Sequence, residues 1–337
     1  MSVDPRKVPA LGLVHNAGRC LKSHHQTSSC RQCIDICPQK ALSRIESVLS
    51  LDNASCRLCG ACVSACPTDA LELAPAPQEK SWICAQAATA KETSAGCLQQ
   101  FKPQQLVEFV LSVGSLELVV GDCVRCTRYC ASAEVGKLVR KANALLADLG
   151  HSAQVSLRSR RPQIDLARRF LFRGWADRLT QDEFLGTASP LRFAKIRDGE
   201  AWKRVPQSHR SAVSLLERSL SQTDVAGVLA ARLPTFDGNR CAVCPVCVSA
   251  CPSGALSVSR NGRHLQLSLL ARDCIGCGLC AEVCFRQAVT MSKPETLAER
   301  LDGHKRVAVS RLPDALLEQN SFEQKTRQIF KVPVYDS

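Results

Sequence analysis

The sequence predicts an α+β chain: two small cysteine modules flank a compact, cysteine-bearing α/β unit with a parallel sheet, followed by a basic helical connector. Three observations predict it. Cysteines recur in short runs over residues 20–66 and again over 241–284. Between them, apolar periodicity switches between strand and helix over residues 80–158. Residues 159–235 then hold no cysteine and open with many arginines.

The run C-x2-C-x2-C-x3-C occurs as Cys56, Cys59, Cys62 and Cys66, as Cys241, Cys244, Cys247 and Cys251, and as Cys274, Cys277, Cys280 and Cys284. Pro67 and Pro252 follow the first two, and Phe285 follows the third. A truncated copy, Cys30, Cys33 and Cys37-Pro38, precedes them. Thiolates at i, i+3 and i+6 on a tight loop point inward at one iron–sulfur cluster. A fourth, four residues on, turns away to the other cluster of a pair. Zinc would need only two C-x2-C pairs and would leave thiolates idle. Disulfides need an exported protein. The first twenty residues, with Asp4, Arg6, Lys7, His15 and Arg19, hold no apolar stretch of signal length. No run reaches the ~18 apolar residues of a membrane helix. A reducing cytoplasm is therefore expected for the 21 cysteines.

These runs resemble those of bacterial two-[4Fe–4S] ferredoxins and of polyferredoxins, over residues 18–75 and 236–292. The resemblance implies two ferredoxin-like dicluster modules, four [4Fe–4S] clusters and definite ligand sets. Cys241, Cys244, Cys247 and Cys284 would hold one cluster; Cys274, Cys277, Cys280 and Cys251 would hold its partner. Phe285 in place of proline implies altered packing beside its cluster, not loss of the cluster. In the first module Cys56, Cys59, Cys62 and Cys37 form one set. The other has Cys30, Cys33 and Cys66, but Thr27 stands where its first cysteine belongs. Cys20 is the expected substitute, reached by a longer loop. His24 and His25 lie in that loop and are either a nitrogen ligand or solvated residues.

Residues 80–158 follow a different logic. Ser81-Trp82-Ile83 reads as a strand ending at Cys84. Leu106, Phe109, Val110 and Val113 mark a helix face closed by Gly114, and Leu116 to Val120 a second strand. Val135, Leu138, Val139, Ala142, Leu145, Leu146 and Leu149 mark another helix, stopped at Gly150, before a third strand at Val155 and Leu157. This order predicts a parallel sheet with right-handed crossovers. Cys84 and Cys123 then end neighbouring strands, where open α/β sheets bind ligands, and Cys97 and Cys126 lie in the following loops. A fifth metal centre is expected there, an Fe–S cluster or a structural zinc, with Cys130 surplus; free or redox-paired thiols are the alternative. The spacing C-x12-C-x25-C-x2-C is loosely similar to thioredoxin-like [2Fe–2S] ferredoxins and to small cysteine-rich hydrogenase subunits.

In the connector, 159–235, Ala212 to Leu220 and Asp224 to Ala231 read as helices, the second capped by Asp224. The connector is either a docking surface or a solvated linker. In the second module, strands over 255–258 and 265–267 flank Asn261-Gly262, a type I′ hairpin signal. Residues 293–337 read as a polar tail with an apolar end, Ile329 to Val334.

The formal charge of +13 counts every cysteine as neutral. Each oxidised cubane with four thiolates carries about −2, so four clusters would leave roughly +5. With 4% aromatics, stacking platforms for nucleic acid are scarce, and no nucleic-acid partner is expected. The preferred function is a non-catalytic electron-transfer subunit of an oxidoreductase complex. It would pass single electrons between dehydrogenase, reductase or hydrogenase subunits, with membrane association only peripheral and through a partner. The alternatives are a catalytic reductase using the middle cysteines, or an iron–sulfur redox sensor or nucleic-acid-binding protein. No G-x-G-x-x-G or P-loop supports the reductase.

Overall fold

The computed structural model describes residues 12–45, 48–73, 79–89, 92, 94–126, 134–160, 203–230, 232–261, 264–294 and 296–311. In the first module, β1 (Val14–His15), α1 (Leu21–His24), α2 (Gln32–Asp35), β2 (Leu42–Ile45), β3 (Val48–Leu51), α3 (Ala61–Ala65) and β4 (Leu71–Glu72) follow in order. β1 pairs antiparallel with β4, and β2 with β3. Two cysteine loops thus sit between an outer strand pair and an inner hairpin. The module begins before residue 18, because Leu13 is buried in its core and β1 closes it against β4.

The middle unit contains β5 (Ser81–Ile83), α4 (Pro103–Val113), β6 (Leu116–Val120), α5 (Val135–Asp148) and β7 (Val155–Ser159). The sheet order is β5-β6-β7, all parallel. Pro103 starts α4, where its missing N–H costs nothing, and Gly114 ends it at φ +88°. Val135, Leu138, Val139, Ala142, Leu145 and Leu146 are the buried stripe of α5. Trp82 is buried, with its ring centroid 4.7 Å from Phe101 and 5.0 Å from Phe109.

The connector is partly core. α6 (Gln207–Leu216) buries Ala212, Val213, Leu215 and Leu216 in the same apolar cluster as α4 and α5. This helix is therefore part of a core and not of a solvated linker. The helix starts five residues before Ala212, behind Pro206. No helix forms at Asp224: its carboxylate accepts from Val228 N at 2.9 Å and Leu229 N at 3.0 Å, closing a turn instead. Of the connector arginines, those at 161–178 lie outside the described residues.

The second module holds β8 (Leu233–Phe236), α7 (Val246–Ala250), β9 (Leu256–Asn261), β10 (His264–Leu270), α8 (Leu279–Glu282) and β11 (Val289–Ser292). Its outer pair is β8 with β11, and its hairpin is β9 with β10. Asn261 pairs with His264, so the connecting residues are 262–263, one step later than Asn261-Gly262; the turn itself lies outside the described residues. The chain after 292 is no mere tail. α9 (Leu297–Leu301) follows, and β12 (His304–Arg311) adds antiparallel to β10 as a third strand. Pairing covers the free edge of the hairpin. Residues 329–334 lie outside the described residues.

The middle unit does not separate the modules. Leu21 of the first packs with Ala250 and Leu279 of the second, against Cys30 and Cys277. Ser29 N donates to Glu282 Oε2 at 3.1 Å, and its hydroxyl bonds the same carboxylate.

Candidate metal centres

The cysteine loops repeat one backbone path. Two residues after the leading cysteine, Leu58, Val243 and Gly276 are left-handed at φ +50°, +51° and +64°. Three residues after each trailing cysteine, Lys40, Asp69, Gly254 and Gln287 are left-handed at +51°, +49°, +69° and +50°. Non-glycine residues take this conformation only where the surroundings impose it. The turn aims amide hydrogens at sulfur. Ala41, Ala70 and Ala288 donate to Cys37, Cys66 and Cys284 Sγ at 3.3, 3.2 and 3.3 Å. A metal-bound thiolate needs such outer donors.

The loops of each module bring its thiols close to one another: Cys33 packs with Cys62 in the first, and Cys241, Cys247, Cys251, Cys274, Cys280 and Cys284 share one cluster in the second. Burial, then the Cys66, Cys30 and Cys20 thiolates, pushes Cys33 up to about 12. Burial and Cys59, Cys33, Cys56 and Cys37 push Cys62 up. Burial and Cys244, Cys241 and Cys284 take Cys247 to about 12. Burial and Cys274, Cys277, Cys251 and Cys247 raise Cys280. Thiols so placed ionise together only around a cation, so metal binding would release their protons.

Cys20 lies near Cys30 and Cys33, close enough for its charge to raise both thiols. Burial raises its thiol, yet hydrogen bonds with His15 and Ser23 outweigh that and bring it down to about 7. Thr27 is exposed. His24 is exposed and bonds the Gly18 backbone, while His25 is half-buried.

In the middle unit Cys84, Cys97, Cys123 and Cys126 line one cavity of about 290 Å³ at the carboxyl edge of the sheet. Gly121 N donates to Cys84 Sγ at 3.3 Å. Burial, with Cys59, Cys126 and Cys84 nearby, pushes Cys97 up to about 12. Burial, Cys84 and Cys126 also raise Cys123. Cys130 lies outside the described residues. Among the described residues, no three His, Cys, Asp or Glu side chains are gathered as ligands of one ion.

Sequence reasoning missed the cations that brace these loops. Arg44 Nη2 donates to Cys30 O at 3.2 Å, and Lys102 Nζ to Cys66 O at 3.0 Å. Arg300, 2% exposed, donates to Ala271 O at 3.2 Å and to Cys274 O. None belongs to a motif; only the folded chain brings them to the cysteines. Phe285 is 73% exposed, so it leaves the cluster loop rather than repacking it.

Known proteins match in these regions. A family model for the 4Fe–4S dicluster domain fits residues 233–285, and one for the 4Fe–4S binding domain fits residues 49–72. The chain thus carries 4Fe–4S ferredoxin-type domains in both cysteine regions. It is also similar to one subunit of the ion-translocating oxidoreductase complex of Methanosarcina acetivorans, 35% identical over 72 residues. The match covers 21% of this chain and 27% of that relative, so the chain spans about a quarter of the relative's length. Iron–sulfur electron transfer is the chemistry of these domains. No described helix is long and apolar enough to cross a membrane.

Proposed function

We propose that this chain is a non-catalytic electron-transfer subunit that relays single electrons between redox enzyme partners through four [4Fe–4S] clusters and a fifth Fe–S centre. The observation that carries the reading is the four-fold recurrence of the left-handed turn after a trailing cysteine, in modules whose thiols pack together. The ligand sets are Cys20, Cys30, Cys33 and Cys66; Cys37, Cys56, Cys59 and Cys62; Cys241, Cys244, Cys247 and Cys284; and Cys251, Cys274, Cys277 and Cys280. Cys84, Cys97, Cys123 and Cys126 form the fifth.

When bound, each cubane cluster takes up and returns one electron. The chain does the rest. Thiolates fix each group inside a buried loop, amides at Ala41, Ala70 and Ala288 offset charge on sulfur, and Arg44 and Arg300 add positive charge to the loops that carry them. These levers set the potential of a held cluster. A dehydrogenase, reductase or hydrogenase partner would supply the chemistry at either end. The relative's place in an oxidoreductase complex supports such partners, and a membrane-bound partner would hold this chain peripherally. A reducing cytoplasm suits its thiols.

The test is anaerobic iron and sulfide analysis of the reconstituted full chain, with turnover assays. About sixteen iron atoms plus those of one further centre are expected, with no turnover of common donors by the chain alone. A value near eight would overturn the two-module reading.

A further inference from the structure

We infer that the five thiol sets form one unbranched line, with the Cys84 set at one terminus and the Cys241 set at the other. The order is the Cys84, Cys56, Cys20, Cys274 and Cys241 sets. This rests on the relay reading above and adds its direction of travel through the molecule: an electron taken from a partner at one terminus is given to a second partner at the other.

Each neighbouring pair in that order has its own contact. The first is between the middle unit and the first module. Gly60, next to Cys59, is pressed so closely on the chain after Cys97 that a Cβ there would lie 2.3 Å from Gln100 Cβ. Gln100 N in turn donates to Cys97 O at 3.2 Å, so the contact lies against the Cys97 loop itself. Within the first module, Cys33 of one set packs against the apolar cluster that holds Cys62 of the other. Between modules, Cys30 and Cys277 pack on the same small cluster of Leu21, Ala250 and Leu279, clamped by Ser29 and Glu282. Within the second module, Cys247 and Cys280 are buried in one apolar cluster.

A shortcut from the middle unit to the second module would close the line into a ring. The two do touch, through α6, where His209 Nε2 bonds Arg272 O at 2.8 Å and Glu217 pairs with Arg272 at 3.3 Å, and through α9, whose Leu297 and Leu301 pack in the core of the middle unit. Neither helix carries a thiol. The cavity of the Cys84 set takes all its lining from residues 84–135, with none from the second module.

The surface agrees with two termini. Val124, beside Cys123, is 80% exposed, and Phe285, beside Cys284, is 73% exposed. Among the described residues, no large apolar side chain so exposed adjoins a cysteine of the three inner sets.

The test is paramagnetic resonance of the reduced, reconstituted full chain, in which neighbouring reduced clusters split one another's signals. Iron analysis comes first. Full loading with the wrong couplings refutes the line alone; failure of the Cys84 set to bind iron refutes its terminus and the fifth centre together, and leaves the order of the other four to be read. Cys97→Ser is expected to simplify only the signal of the Cys56 set, and Cys244→Ser with Cys247→Ser only that of the Cys274 set. Loss of the Cys20 set, by Cys30→Ser with Cys33→Ser, is expected to uncouple the Cys56 set from the Cys274 set. If a variant fails to fold, dipolar distances between reduced centres in the parent chain decide the order. A short distance between the Cys84 set and either set of the second module, or a Cys97→Ser change in a second-module signal, would overturn the proposal.

Discussion

Lys102 Nζ lies 2.7 Å from Asp69 Oδ1, and this ion pair joins the middle unit to the first module. Asp69 also accepts from Ser208 Oγ at 2.8 Å and Ser208 N at 3.0 Å, so α6 is tied into the same knot. Burial pushes the Asp69 carboxyl up, but the Lys102 charge and the bonds from Lys102 and Ser208 win and hold it below its ordinary value. A carboxyl depressed on folding contributes stability above its unfolded value, about 4, and loses it as pH falls through the folded value. Asp69→Asn is therefore expected to cost about 2–3 kcal/mol at pH 7. The gap in melting temperature between parent and variant should narrow steadily below pH 4. A gap unchanged with pH would show that the carboxylate charge is not what matters.

Gly60 and Gly278 make a matched pair. Both are left-handed, at φ +74° and +79°, one residue after a cysteine. Gly60 abuts Gln100, whereas a Cβ on Gly278 meets nothing within 4 Å. Gly278→Ala should cost only the backbone strain, about 1 kcal/mol. Gly60→Ala should cost about 2–4 kcal/mol, because backbone at Gln100 must also move. Chemical denaturation of the two variants checks the difference; equal losses would contradict the close packing.

Cys20→Ser should disable one cluster of the first module and leave its neighbour intact. The affected set has no other thiol to recruit, since Thr27 is exposed and carries none. Iron should fall by up to about four atoms, or a three-iron signal should appear. His24→Ala and His25→Ala should leave iron content unchanged. Loss of iron in either histidine variant, with a normal Cys20→Ser spectrum, would move the ligand to nitrogen.

Arg300→Met should act on a single set. The buried guanidinium bonds Ala271 O and Cys274 O. Its removal is expected to cost about 3 kcal/mol through the orphaned carbonyls and to lower the potential of the Cys274 set by taking away a positive charge. Redox titration followed by spectroscopy reads the shift. Arg300→Lys should restore part of the potential but not the paired carbonyl bonds.

What could be read from sequence was local. Cysteine spacing writes loop geometry directly, and the family matches at 49–72 and 233–285 fall on those runs. The strands at Ser81–Ile83 and Leu116–Val120 were equally legible, because each is a short apolar run bounded by turn residues. Long-range pairing was not. β1 and β12 are strands because β4 and β10 lie beside them, and nothing in Val14–His15 or His304–Arg311 announces the partner. Asp224 shows the opposite failure: the capping residue is present and makes its bonds, but the segment after it turns back at Gly227, φ +58°. Lys102, Arg44 and Arg300 were invisible for the same reason as β12, since a lone basic residue has no spacing to recognise.

The late strand β12 also bears on how the protein is made. Ribosomes release the chain from its amino end, so the first module has all its strands once residue 72 has emerged. The second waits for residue 311, long after its last cysteine, Cys284. During that interval the thiols of the second module and a bare hairpin edge are exposed to oxygen and to other nascent chains. A stop placed just before residue 304 should therefore leave the β10 edge unpaired and lower the stability of the second module, while the first module keeps all its strands.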